Sequence, residues 1–504
     1  MKVDSNFLTY NALDSTCTFE VHDEIWPDVS QHGFSPAYQM TIDLFPVLMF
    51  MQTRGIKVDH SALEQTRTEI VAQAAAKQEE LNLLCGRVLN VNSSKDCQQY
   101  FYVELGIPPY YNGGSITVDD LALQRMSRGT AKRQGIRQAK LVQEIRGLQK
   151  LRGTYLNIEF DADGRMRCSY NPRGTKFGRL SSSKTIFGTG TNNQNLPQEF
   201  KKFLVADEGF VLWEVDKRQA EWVVMAYLTG DASMIKVIEE GRDTHVHTAS
   251  LMFGADSDLI EYENKLVGNN SDPDTIRQIR EADDRVAKFS DGFPRTMSAR
   301  QCGKKSNHGL NYDEGPFQFA LINEMEPNEG KRIVAMYHLI YPGIKVYYET
   351  VKRMLQRDRT LTNCFGRKIR FMDTWGLDLW KAAYSALPQS TVVDSLNQGM
   401  VKLYADDYLV RDCQIDVLAQ VHDSVLTQVP ISLAMSPEFD AVQQRVYNYL
   451  SPDIRYNSRT FKIATDSKMG LNWGGQHEAL NPFGMREIKS AEARLKMLEE
   501  FSGA

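Results

Sequence analysis

Two aspartates hold positions from which they could act together. Asp216 closes the apolar run GFVLWEVD, and Asp423 lies at the turn inside IDVLAQVHDSVLTQVP (415–430). Short apolar runs bounded by turn residues read as strands, so each carboxylate sits at a strand end. Brought together, such carboxylates can hold Mg²⁺, which takes hard oxygen ligands and keeps waters and substrate phosphates. Two ions about 3.5–4 Å apart can clamp the attacking and leaving oxygens of a phosphoryl transfer. A lone Asp at a strand end is more often simply a turn former. The pairing gains weight only from what lies between the two.

Between them runs RQCGKKSNHGLNY (300–312). On a helix Arg300, Lys304, His308 and Tyr312 recur every four residues and form one slowly drifting stripe. Two cations followed by two rings suit a nucleoside triphosphate, and they equally suit a solvated basic face with a capping aromatic. Gly303-Lys304-Lys305-Ser306 is not a P-loop, because Ser298 stands where its first glycine is needed. His245 and His247 alternate at i, i+2 with no third ligand apparent. A nucleotide-contacting or structural role therefore competes with a metal site.

Periodicity sets the elements that carry these residues. Residues 38–85 read as helical with a break at Gly55, and a second helix starts near His60-Ser61. Gln219 to Leu228 reads as helix, and after it comes a long helical region interrupted by the loop GNNSDPD (268–274). From Arg125 to Arg152 the chain turns basic, through Arg125, Arg128, Lys132, Arg133, Arg137, Lys140, Arg146, Lys150 and Arg152, with Glu144 the only acid. This is either a solvated face or a phosphate-tracking surface.

Composition sets the outer bounds. The 504 residues are 42% hydrophobic and 24% charged, which excludes a mostly disordered or collagen-like chain. Lys plus Arg is 59 against 64 for Asp plus Glu, a net charge of -5, so a small, wholly basic nucleic-acid binder is excluded. A large enzyme with one basic channel is not. The longest dense apolar run, Leu44 to Met51, is too short to span a bilayer, and the start lacks a signal-peptide core. Seven scattered cysteines with no Cys-x-x-Cys pair predict reduced thiols in a cytoplasmic setting.

At this point the chain resembles the polymerase region of the family A DNA polymerases, the bacterial DNA polymerase I type. FGRLSSSKTIFGTGTNNQNLP (177–197) resembles the family's Gly-Arg-Leu-Ser-Ser segment and its Gln-Asn-hydrophobic-Pro ending, with an insertion. VDKRQAEWVVMAYLTGD (215–231) resembles motif A, RQCGKKSNHGLNY motif B, and QVHDS (420–424) motif C. DTHVHTA (243–249), PQSTVVD (388–394), MGLNW (469–473) and LQKLRGTYL (148–156) fall in order around them. The resemblance covers about residues 38–477.

The resemblance implies an α+β right-hand fold with an antiparallel palm sheet and helical fingers and thumb. It implies an exonuclease remnant (1–37), a helix leading into the palm (38–57), a thumb (58–160) and palm (161–245). Fingers (246–384), palm again (385–477) and a C-terminal extension (478–504) complete the chain. Asp216, Asp423 and the backbone carbonyl of Lys217 would hold two Mg²⁺ ions, with Mn²⁺ able to substitute. Arg300 and Lys304 would hold the triphosphate, Lys304 also protonating the leaving pyrophosphate. Gln219, His245, His308 and Tyr312 would line the nucleotide site, and Glu221 would crowd the sugar 2′ position. Arg179, Gln389, His422, Lys150, Asn193 and Gln194 would touch DNA. The implied partners are primer-template DNA and deoxynucleoside triphosphates, with no membrane.

Departures from the pattern are Ser424 after Asp423 where the family has Glu, His308 for Phe or Tyr, Val223 for an Arg, and Lys381 for an Arg. A single-subunit RNA polymerase and an inactive polymerase-shaped scaffold are the alternatives. Glu221 and the Gly-Arg-Leu-Ser-Ser match favour DNA. The compact, variant-rich form suggests a phage or similar replicon. Tyr10 and Asp14 resemble the last proofreading-exonuclease motif, without the upstream Asp-x-Glu, which implies either an excised or split polymerase or an exonuclease domain in another chain; that chain or other replisome proteins are the further partners implied. Pure protein is expected to show no metal-dependent 3′→5′ digestion. Digestion abolished by Asp14→Ala overturns that expectation.

Overall fold

Alternating apolar residues set the central sheet. The computed structural model describes residues 5–130, 133–268, 270, 272–323 and 325–502. Five strands, Phe210–Lys217 (β1), Asp416–Val421 (β2), Ser424–Pro430 (β3), Thr465–Gly470 (β4) and Arg486–Glu487 (β5), form one sheet in the order β2-β3-β1-β4-β5. Every neighbouring pair is antiparallel. The period of two sends Val211, Trp213 and Val215 to one face, where they join Val425, Val429 and Met469 in a buried core. Leu212, Glu214 and Asp216 fall on the other face, whose apolar part packs Leu212 with Leu418 and Leu426. Asp216 stands at the open end of that face, opposite Ser424 on β3 and Asp466 on β4.

Helices supply the rest. Ser5–Gln31 (α1) and Ser35–Arg54 (α2) lead in, and α2 lays Leu44, Val47, Leu48 and Met51 against the first sheet face. The expected break at Gly55 is real, with φ at +62°. Directly after it the chain forms a short strand, Ile56–Val58, paired with Arg165–Met166 and Leu204–Val205. His60–Cys85 (α3) begins only beyond that strand. Three residues are too few to show a period, so the strand was invisible in the sequence. Most of α1 stands clear of the body, with Tyr10 62% and Phe19 66% exposed. Its C-terminal end is fixed by the Lys368 ammonium donating to the His32 carbonyl at 2.7 Å.

The basic stretch is mixed in use. In Arg137–Lys150 (α4), Ala139, Leu141, Val142 and Ile145 are buried. Arg146 donates to the carbonyls of Val91 (2.7 Å) and Val118 (2.8 Å), and Arg137 pairs with Glu80 at 3.0 Å, so these two cations hold the protein together. Lys140, Lys150 and Arg152 are exposed. Lys132 lies outside the described residues, as do the side chains of Arg128 and Arg133, and Asn269 and Ser271 of the expected loop.

The segments singled out in the sequence lie on Ala220–Thr229 (α5), Thr244–Phe253 (α6), Ala299–Gly309 (α9), Leu377–Tyr404 (α10) and the β2–β3 hairpin, with Ser257–Val267 (α7) and Pro273–Glu281 (α8) between α6 and α9. Glu438–Leu450 (α11) backs the sheet. The C-terminal helix Ala491–Ser502 (α12) is a packing element. It buries Met497, Leu498 and Phe501, and Arg494 bonds Asp440 of α11 at 2.5 Å. No helix among the described residues is long and apolar enough to cross a membrane. The seven cysteines are free.

Candidate active site

The β2–β3 hairpin turns on His422 and Asp423, with His422 in the left-handed region (φ +52°). Two-residue hairpin turns demand positive φ, and a non-glycine residue held there is strained. Its neighbours hold it. The Gln420 amide donates to the His422 carbonyl at 2.5 Å, and Gln194 donates to Gln420 Oε1 at 3.2 Å and to the Leu180 carbonyl at 2.9 Å. Across the strand gap the Lys217 amide donates to the Asp423 carbonyl at 3.2 Å. The ends of β1 and β3 are thereby tied, and Asp216 and Asp423 share one edge of the sheet.

Carboxylates crowd that edge with few compensating partners. Asp423 Oδ1 is shielded from solvent and has no hydrogen-bond partner, which is costly for a carboxylate. Burial and the Glu221 charge push the Asp423 carboxyl up, against Arg179 and Lys217. Asp216 opens to solvent, but desolvation and the carboxylates of Glu214 and Asp423 push it up to about 6. The Lys217 side chain runs the other way, into the core, where Nζ donates to Ser395 Oγ at 2.8 Å and to the Leu450 carbonyl. Burial lowers its pKa to about 7. No group of three His, Cys, Asp or Glu side chains converges among the described residues. Two carboxylates with an open remainder fit Mg²⁺, which completes its shell from water and substrate phosphate.

Metal affinity should therefore depend on pH. A cation must displace the Asp216 proton below pH about 6. Mn²⁺ affinity of the free protein is expected to fall roughly tenfold per pH unit from 6 to 5, and to be flat above 7. A titration at pH 5, 6 and 7 reads it. Equal affinities at pH 5 and 7 contradict the assignment.

Beside the carboxylates lies a chain of three side chains. Arg179 pairs with Glu221 Oε1, and the Tyr312 hydroxyl donates to Glu221 Oε2 at 2.5 Å. Gln219, at φ +50° just before α5, accepts from the Thr244 hydroxyl at 2.5 Å and so couples β1 to α6. Tyr312 is placed differently from the helical stripe. α9 ends at Gly309, and Tyr312 sits in the short turn Leu310–Tyr312, closed by Asp313 at φ +61°. Arg300, Lys304 and His308 do share the helix.

α9 lies close on α6 because residue 303 is glycine. A Cβ there would come within 2.3 Å of the His245 carbonyl. Arg300 pairs with Asp243 at 2.7 Å, and Asp243 also caps α6 through the amides of His245 and Val246. Lys304 and His308 are exposed. His245 is buried, and desolvation lowers its pKa to about 4, so it is neutral at pH 7. Its Nδ1 lies 3.0 Å from the Asn307 amide nitrogen, a donor. Nδ1 therefore accepts, and the proton resides on Nε2. His247 Nε2 is buried with no hydrogen-bond partner among the described residues, and no metal-holding group of three or more His, Cys, Asp or Glu side chains there includes either histidine. Gln389 is half-buried on α10, Lys150 is exposed at the end of α4, and Asn193 is buried at 2% exposure.

The family model for DNA polymerase family A matches residues 60–266 and 288–475. The chain belongs to DNA polymerase family A. It is 26% identical over 407 residues to a thermostable DNA polymerase I of Thermus filiformis, covering 76% of this chain and 42% of that one. It is 25% identical over 502 residues to DNA polymerase I of Rhizobium leguminosarum, covering 93% and 43%. The chain thus spans less than half the length of these relatives. Its fold is similar to the POL domain of Pol1 from M. smegmatis, solved in complex with DNA primer-template and dNTP. The TM-score is 0.68 at 22% identity, over 86% of this chain and 70% of that one.

Within this family A fold, two supports escaped the sequence. Glu263 on α7 and Arg280 on α8 form a buried ion pair, at 0% and 3% side-chain exposure. Glu263 Oε2 also accepts from the Ala299 amide at 2.9 Å, the first residue of the motif B helix. Arg280 further donates to the carbonyls of Pro294 and Met297. A Glu seventeen positions before an Arg carries no local signal. Of the motif departures, Val223 is buried in the core of α5, Lys381 is exposed, and Ser424 bonds Glu214.

Proposed function

We propose that this chain is a DNA-directed DNA polymerase that adds deoxynucleotides to a primer 3′-OH on a template. The observation that carries the reading is the sheet edge, where Asp216 and Asp423 meet with an unsatisfied, buried carboxylate oxygen. Asp216, Asp423 and the Lys217 carbonyl hold two Mg²⁺ ions. When bound, these ions stabilise charge on the attacking and leaving oxygens. Arg300 and Lys304 hold the triphosphate, Arg300 sharing its charge with Asp243. Lys304 protonates the departing pyrophosphate. His245 offers Nε2–H as a neutral donor. Glu221, fixed between Arg179 and Tyr312, crowds a 2′ hydroxyl. His422, Gln389 and Arg179 face the primer end, and exposed Lys150 tracks its phosphates. Minor-groove acceptors are alike in all correct pairs, so such contacts test shape without reading sequence.

The thumb is 58–160, the fingers are 246–384, and the palm is 161–245 with 385–477. Positioning and electrostatics supply most of the rate. Primer extension with deoxy- against ribonucleotides tests the reading. Extension with deoxynucleotides, lost in Asp216→Ala, is expected. Preference for ribonucleotides, or no extension at all, sinks it.

His308 faces the nucleotide where the family has an aromatic ring. His308→Tyr and His308→Phe are expected to shift the ratio of dideoxy- to deoxynucleotide incorporation by about tenfold. An unchanged ratio in both variants removes His308 from sugar discrimination.

A further inference from the structure

Glu214 is an acidic side chain beside the proposed metal site to which no role has been assigned. Strand alternation puts it on the same face as Asp216, two residues back on β1. Its Oε1 is held by two neutral donors, the Ser424 hydroxyl at 3.1 Å and the Trp473 indole at 3.2 Å. Lys468 is its direct cross-strand neighbour on β4, yet no ion pair joins them among the described residues. A carboxylate kept for sheet stability would pair with that lysine. Instead one oxygen is pinned from β3 and from Trp473, and no hydrogen bond among the described residues engages Oε2. A second feature points to a ligand at the same edge, the shielded and partnerless Oδ1 of Asp423.

We propose that Glu214 is a third acidic residue of the metal centre. It accepts hydrogen bonds from water ligands of the ion that Asp216 holds. The inference rests on the proposed metal site. It makes Glu214 a positioning residue that acts through the ion's waters. Mg²⁺ retains several waters, and carboxylates beyond the direct ligands orient them. Ser424, directly after the second metal aspartate, is too short to do this, but its hydroxyl anchors the carboxylate arriving from the neighbouring strand.

The test is Mn²⁺ binding to the full chain without DNA or nucleotide, read by electron paramagnetic resonance. E214Q keeps an acceptor for Ser424 and Trp473 and removes only the charge. It is expected to weaken Mn²⁺ binding by about tenfold, with a thermal transition at or above that of the parent without divalent ions. E214Q/S424E returns a carboxylate from β3 and is expected to recover affinity to within about threefold of the parent. E214Q within about twofold of the parent overturns the inference. So does a weak E214Q that the double variant fails to restore, because the loss then lies in packing. D216A separates the two readings. If D216A binds Mn²⁺ as the parent does, the metal centre itself is wrong. If D216A is weakened while E214Q is not, only the role of Glu214 falls.

Discussion

Asp216→Ala and Asp423→Ala are each expected to lower the proposed templated primer extension by about 10³-fold or more while the protein stays folded. Asp216 and Asp423 are the two direct carboxylate ligands of the proposed site, Glu214 acting only through water, so neither has a substitute for a direct metal bond. The stability change goes the other way. The Asp216 carboxyl has a folded pKa of about 6, above the 3.8 of an ordinary aspartate. Its contribution to stability is therefore fully present below pH 3.8 and is lost as pH rises through 6. At pH 7 the ionised group is held against Glu214 and Asp423, so Asp216→Asn is expected to melt at or above the parent temperature without divalent ions. Loss of activity with retained or raised melting temperature is the signature of a group placed for function. Extension within tenfold of the parent in either alanine variant removes the two-carboxylate centre.

Glu263→Ala produces the largest loss of stability, about 3–5 kcal/mol. Removing one member of a buried pair leaves the Arg280 guanidinium without a counter-charge and frees the Ala299 amide that starts the motif B helix. Arg300 lies one residue further on, so triphosphate affinity is expected to fall with the helix start. Replacing both partners, as Glu263→Met with Arg280→Met, is expected to cost less, because two desolvated charges disappear together while the Ala299 amide and the Pro294 and Met297 carbonyls still lose their partners. Denaturant melts of these variants against the parent read the differences. If Glu263→Ala alone lies within about 1 kcal/mol of the parent, the pair carries no such weight.

Much of the site was legible because its residues sit in local patterns. β1 and the β2–β3 hairpin announce themselves by apolar runs broken at Asp216 and at His422-Asp423. The α9 helix is readable from Arg300, Lys304 and His308 at a spacing of four. The stripe misplaced only Tyr312, because Gly309 and the left-handed Asp313 end the helix. Asn193 and Gln194 stand in a motif that implies DNA contact, and nothing local to that motif shows that Gln194 also braces the His422-Asp423 turn through Gln420. The basic stretch was read as one surface, yet Arg137 and Arg146 are spent on internal partners.

The order of the motifs, the two strand-end carboxylates and the antiparallel palm hairpin are all set by the sequence, since each is written within a few residues of its neighbours. Tertiary packing chooses which side chains meet: Arg179 with Glu221, Tyr312 with Glu221, Arg300 with Asp243, Glu263 with Arg280, and Glu214 with Ser424 and Trp473. These partners lie 42, 91, 57, 17, 210 and 259 positions apart. Their meeting depends on strand register and helix docking, where a one-residue slip would turn Glu214 and Asp216 into the opposite core.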